Sequence, residues 1–197
     1  MTLDDLPELH YITPLKNLVS IMQHGILSHE RAEKIKHESV AMQEIQDLRA
    51  DVVLPNHRKL HSYANVYIYA RNKMMSKIRE HHRGLCVLRL DRRILNHSTA
   101  IVSDQNASSK YVRFSEVIAG LGRIDKDTVF ADSWIYPEDQ ISEWRHGSAM
   151  CAEVLILDRI LPNFITGVYV SCEESASEVR ERHKGLDVIV NGKLFFR

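Results

Sequence analysis

The stretch "GSAMCAEVLILDRIL", residues 147–161, decides how the chain reads. Cys151 to Leu157 has the length and apolar density of a strand covered on both faces. Glu153 nevertheless sits inside it. A carboxylate taken out of water is costly unless something pairs with it. Two explanations fit the pattern. Glu153 is one half of a structural salt bridge, or it is a catalytic carboxylate held in an apolar setting and aimed at a developing positive charge. The run alone does not choose between them.

Working outward, "PEDQISEWRHGS" (137–148) reads as a polar loop leading into that strand. "LHYI" (9–12) reads as a strand. "TPLKNLVSIMQHG" carries helix punctuation, with Thr13 as N-cap, Pro14 at the first helical position and Gly25 just past the end. Residues 28–38 read as a polar loop, and 39–49 as a helix with Met42, Ile45 and Leu48 on one side. "YANVYIYA" (63–70) alternates with period two, so Tyr63, Asn65, Tyr67 and Tyr69 share a face of a strand. Residues 72–83 are helical with Asn72 as cap. Strands are expected at 85–90, 99–103, 165–171 and 186–190, and helices in 113–122, 125–134 and 173–183. Strands and helices mix without regular βαβ alternation, which indicates an α+β fold. A chain of 197 residues without repeats suits a single domain, 1–197, with a full core.

Lys+Arg and Asp+Glu both number 26, so the chain is formally neutral and any grip on nucleic acid must be local. The densest basic run is Arg71, Lys73, Lys77, Arg79 and Arg83. It follows the tyrosine-rich strand, and tyrosines beside positive charge suit single-stranded nucleic acid. A solvated helix face explains the same run equally well. Cys86, Cys151 and Cys172 are far apart, each in an apolar run, and read as reduced core residues of a cytoplasmic protein. No zinc spacing occurs, so no metal is expected. The N-terminus lacks a signal-peptide core, and no apolar run approaches the roughly 18–20 residues of a membrane span. No GxGxxG, Walker A, HExxH or GxSxG motif occurs.

Five stretches in register carry more: "LHYITPLKNLVSIMQHGILS", "IQDLRADVV", "LHSYANVYIYARNKMM", "YVRFSEVIAGLGRID" through Trp134, and "AEVLI". Together, over roughly residues 8–175, they resemble the DarT family, DNA ADP-ribosyltransferase toxins of bacterial DarTG toxin–antitoxin systems. The resemblance implies the ADP-ribosyltransferase fold, two crossed, mostly antiparallel sheets around an NAD cleft. It implies transfer of ADP-ribose from NAD+ to a nucleobase of single-stranded DNA, with NAD+ as co-substrate and release of nicotinamide. The expected partners are single-stranded DNA and a DarG-type macrodomain antitoxin, and nothing demands more than a monomer. Transfer to RNA or protein, or a non-catalytic nucleic-acid-binding module, are the alternatives.

The resemblance also assigns residues. Glu153 matches the catalytic glutamate and Arg49 the catalytic arginine. His10, Tyr11, Thr13, Asn17, Tyr63, Tyr67 and Arg71 fall in stretches that hold NAD+. Segment 131–150 takes the place of the substrate-recognition loop, so Trp134 and Arg145, with Lys73 and Lys77, are expected nucleic-acid contacts. Two departures stand out. The order here is "HYIT", which puts Tyr11 where the better-known branch has a histidine. "SAMCAE" replaces the arginines that branch tends to carry before its "AE". Both favour guanine over thymine as the target base.

Overall fold

The computed structural model describes residues 1–35, 37–39 and 43–197. The apolar run around Glu153 is a strand, and its Val154, Leu155 and Ile156 are completely buried. In chain order the strand Glu8–Pro14 (β1) comes first. A turn and the helix Leu18–His24 (α1) follow, ended by Gly25 in a left-handed conformation. Next are the short strand Ile26–Leu27 (β2), one helical turn His29–Ala32 (α2) and the helix Gln43–Ala50 (α3). Tyr63–Tyr67 (β3) leads to Lys73–Ile78 (α4), which Asn72 caps by accepting from the Met74 and Met75 N–H groups. Leu85–Asp91 (β4), Ile101–Ser103 (β5) and Phe114–Glu116 (β6) come next. Helices Val117–Leu121 (α5), Lys126–Val129 (α6) and Gln140–Ala149 (α7) lead to Glu153–Leu157 (β7). Arg159–Ile160 (β8), Ile165–Val170 (β9), Glu173–Arg182 (α8) and Val188–Val190 (β10) finish the chain.

Eight strands form one ladder in the order β10-β9-β4-β1-β3-β7-β5-β6, and β2 pairs with β8. All pairs are antiparallel except β9 with β10. The ladder has a seam. β1 pairs with β4 from Glu8↔Asp91 to Pro14↔Leu85, and β3 with β7 from Tyr63↔Leu157 to Tyr67↔Glu153. Between β1 and β3 the only pair is His10↔Tyr67. The two halves of the sheet therefore meet at one point, and Tyr11–Pro14 part from β3 to make one wall of a cleft. This is the expected α+β fold, with eight strands gathered in one large sheet that narrows to a single pair at the seam.

Several local expectations are corrected. Thr13 and Pro14 do not start a helix. Their backbones pair with Cys86 and Leu85, and sheet pairing overrides the helix signal. Residues 28–38 are not all loop, because Ser28 precedes α2. On α3, Leu48 is exposed rather than on a buried face, and Met42 lies outside the described residues. Tyr69 lies beyond the end of β3 and packs edge-on against Phe130 at 5.2 Å between centroids. Phe114–Glu116 is a strand paired with β5. The largest correction is 137–148: this stretch holds α7, capped by Asp139 accepting from the Ser142 N–H at 3.0 Å.

Candidate active site

A cavity of about 430 Å³ opens beside the seam, within the about 300–1,000 Å³ range of small-ligand sites. β1 supplies Tyr11 to Pro14 and β3 supplies Tyr63, Asn65 and Tyr67. His29, Ala32, Ile35 and residues 37–39 line another side, and α4 and α7 add Lys73, Lys77, Trp144 and Ser148.

At one side of this cavity lies Arg49, on the last turn of α3. Its two terminal nitrogens each donate to one oxygen of Glu153, both at 3.1 Å. This fork-on-carboxylate geometry is the strongest form of side-chain ion pair. Glu153 has no exposed surface and does not line the cavity, whereas Arg49, 8% exposed, does. The Ala107 N–H donates to Glu153 Oε1 at 3.0 Å. Ser103 Oγ, on the neighbouring strand β5, accepts from the Glu153 N–H at 3.2 Å. Strand pairing on both sides and these bonds fix the direction of the carboxylate. Burial works against the Arg49 charge, but the adjacent Glu153 outweighs it and raises the guanidinium pKa above its ordinary value. Burial, and then Glu153, raise the Tyr67 phenol well above its ordinary value, so it stays neutral. Tyr11 is pushed up to about 12, by burial and then Cys86.

Burial likewise pushes the Cys151 thiol, which faces the cavity, up to about 11, and Cys86 up to about 12. Both are protonated at neutral pH, as expected of core cysteines rather than nucleophiles. Among the described residues no group of His, Cys, Asp and Glu could hold a metal ion.

Of the residues singled out in the sequence, Glu153 and Arg49 come together across 104 positions. Tyr11, Thr13, Asn17, Tyr63, Tyr67, Lys73 and Lys77 all line the cavity. Four others do not. His10 turns away, its Nδ1 3.1 Å from the Ile68 carbonyl and its Nε2 3.3 Å from Glu8. Arg71 donates to the Lys193 carbonyl at 2.6 Å and lies 4.0 Å over the Phe196 ring, so it secures the C-terminal turn. Trp134 is buried edge-on against Phe196. Arg145 is exposed on α7, outside the cavity lining.

Sequence reasoning missed Trp144, which lines the rim while 58% exposed. The signal was an exposed tryptophan in a segment already placed beside the substrate. It also missed His29 and His61, whose rings sit 4.1 Å apart in the cavity wall. Burial, His29 and Arg49 lower the His61 pKa, and its Nε2 is buried without a hydrogen-bond partner among the described residues. The Ala107 N–H could not have been found, because a backbone donor leaves no mark in a sequence.

The family model described as "ssDNA thymidine ADP-ribosyltransferase, DarT" matches residues 10–196. A DNA ADP-ribosyl transferase–DNA ADP-ribosyl glycohydrolase fusion protein of Thermosipho africanus (strain H17ap60334) is 26% identical over 202 residues, taking in 96% of this chain and 49% of the relative. The structure of Thermosipho africanus DarTG in complex with ADP-ribose superposes with a TM-score of 0.84 at 25% identity, covering 96% of this chain and 51% of that one. This chain thus spans about half the length of the fusion protein it matches. Thermus sp. 2.9 DarT in complex with ADP-ribosylated ssDNA gives a TM-score of 0.84 over 99% of both chains, a likeness of fold at 19% identity. With a family match running from His10 to Phe196 and the same fold around the cleft, the chain belongs to the DarT family of ssDNA ADP-ribosyltransferases.

Proposed function

We propose that residues 1–197 form one domain that transfers ADP-ribose from NAD+ to a base of single-stranded DNA. The observation that carries this reading is the Arg49–Glu153 pair beside a cofactor-sized cavity. NAD+ supplies a ribose whose bond to nicotinamide breaks with build-up of positive charge. The cavity suits such a ligand: it combines aromatic walls, the unpartnered Nε2 of His61, and a buried guanidinium for a diphosphate or an anionic base. Tyr11, Thr13, Tyr63 and Tyr67 are the residues placed to hold it, while Asn17, on the same lining, holds the backbone of Glu38.

Glu153 is aimed by its strand and its Ala107 bond. It stabilises the developing cation in place of the guanidinium that it faces at rest. Arg49, released from that bond, stabilises the acceptor base as its proton passes to water; the base bonds to the ribose carbon that nicotinamide leaves. Lys73 and Lys77 at the rim supply positive charge for the DNA strand. A base edge engaged in a duplex cannot enter the cavity, which favours a single strand. The target proposed is guanine, from the "HYIT" and "SAMCAE" departures; the family description names thymidine, and this is the second reading. As a cytoplasmic, monomeric enzyme modifying DNA it acts as a toxin. The fusion of the Thermosipho relative to a DNA ADP-ribosyl glycohydrolase supports a macrodomain antitoxin of the DarG type as partner.

Single-stranded oligonucleotides, each lacking one base type, are incubated with NAD+ and either wild type or Glu153→Ala, and products are weighed by mass spectrometry. An added ADP-ribose with wild type alone, lost when guanine is omitted, is the expected result. Loss on omitting thymine instead selects the second reading. No adduct with continued NAD+ consumption redirects the activity to RNA or protein.

A further inference from the structure

One stretch of chain gives the cavity lining His29, Ala32 and Ile35, then His37, Glu38 and Ser39. Beyond α2, the described residues 33–35 and 37–39 belong to no helix or strand. Glu33, Lys34 and Ile35 still donate to the His29, Arg31 and Ala32 carbonyls, whereas Glu38 is held through its backbone by a side chain.

At its root, Ser28 N–H donates to the Asp158 carbonyl at 2.8 Å and Arg31 Nε to the Asp158 carboxylate at 3.3 Å. At its tip stands Asn17. Its Oδ1 accepts from the Glu38 N–H at 3.0 Å, and its Nδ2 donates to the Glu38 carbonyl at 2.6 Å. Nδ2 also lies 3.3 Å from Thr13 Oγ1, on the last residues of β1. A side-chain amide carries both a donor and an acceptor on one rigid plane. It therefore satisfies both backbone groups of Glu38, as a neighbouring strand would. Aspartate loses the donor, and alanine loses both. The neighbouring Lys16–Glu38 ion pair, at 3.4 Å, is exposed on both sides and adds little.

We infer that Asn17 is a positioning residue, the latch that pins the tip of this stretch beside the cavity and so sets how long bound NAD+ is retained. The inference rests on the reading of the cavity as an NAD+ site. It gives Asn17 a task other than ligand contact, since both ends of its amide are bonded to the Glu38 backbone. A latch acts on binding: its loss speeds escape of the ligand while leaving Arg49, Glu153 and the reacting geometry as they are.

The test measures NAD+ binding by calorimetry and steady-state transfer to single-stranded DNA for wild type, Asn17→Ala, Asn17→Asp and Lys16→Ala. Trypsin cleavage at the exposed Lys34 is followed with and without NAD+. Asn17→Ala is expected to raise Kd and KM for NAD+ roughly ten-fold, the combined effect of two modest hydrogen bonds, with kcat within about two-fold of wild type. Asn17→Asp falls between the two, and Lys16→Ala behaves as wild type. Cleavage at Lys34 speeds up in Asn17→Ala, and NAD+ slows it in wild type. Unchanged Kd and cleavage in a folded Asn17→Ala overturn the latch, as does a fall in kcat at unchanged KM. If wild type binds no NAD+ at all, the reading of the cavity fails and the latch with it.

Discussion

Arg49 and Glu153 form a two-bond ion pair, 3.1 Å on each arm, in which the carboxylate has no exposed surface. Their strongest interaction at rest is with each other. Removing one partner strands the other charge in the interior, whereas removing both leaves an apolar contact. Glu153→Gln is therefore expected to lower stability by about 3–5 kcal/mol. In Arg49→Met/Glu153→Leu the loss is smaller than the sum of the single variants. Urea unfolding of wild type, Arg49→Met, Glu153→Leu and the double variant checks this, and additive losses would mean that the pair is not coupled. Every variant that lacks Glu153 is expected to lose DNA modification.

Trp144 stands at the cavity rim, with Lys73 and Lys77 lining the same opening. An exposed indole near cationic side chains is a stacking platform for a base. Trp144→Ala is expected to raise KM for an oligonucleotide by roughly five- to a hundred-fold, following the usual range for loss of one stacked base. Trp144→Phe recovers most of it, and KM for NAD+ does not change. Equal effects on both substrates would refute the assignment.

Gly25 closes α1 at φ +84°, and a β-carbon there would meet the Ile160 carbonyl oxygen at 2.1 Å. Strain and collision act together, and the colliding atom is backbone. Gly25→Ala is expected to cost more than about 1 kcal/mol, beyond the entropy it saves in the unfolded chain. Thermal unfolding reads the change, and a neutral result would show that β2 and β8 give way freely.

Glu8 carries a pH prediction. Burial opposes its charge, but hydrogen bonds from His10, Arg89 and Tyr169 prevail and take it from 4.5 to about 2. A carboxylate more acidic in the folded state stabilises the fold above its unfolded pKa. That stability is lost as pH falls through the folded value. Wild type should lose stability between about pH 4.5 and 2 more steeply than Glu8→Gln. Denaturant titrations at stepped pH measure this; parallel curves would exclude Glu8 as the source.

Much of this was legible in the chain. The buried run around Glu153, the alternation of 63–67 and the Asn72 cap each follow from period and punctuation. The union of Arg49 with Glu153 does not, because the partners lie 104 residues apart and only the family resemblance joined them. Helix α7 was hidden because Ile141 and Trp144, spaced as helical neighbours, both point to solvent. An amphipathic pattern shows a helix only when its apolar side faces a core. The cap was there to see in Asp139, one residue before the helix. Trp134 and Arg71 were misplaced for the opposite reason: Phe196 and Lys193, which hold them, come from the far end of the chain.

The seam between β1 and β3 bears on how the protein is born. β3 meets β1 at one pair and takes the rest of its ladder from Leu157 to Glu153. On a ribosome adding about 5–20 residues per second, Arg49 waits roughly 5–20 s for the carboxylate that follows it by 104 positions. Strand pairing over such separations is also slow to form once the chain is free. Nascent fragments that end before Glu153 lack the strand that pairs with β3 and cannot form the ion pair. Synthesis thus gives the cell a delay: the Arg49–Glu153 pair exists only in chains made past Glu153.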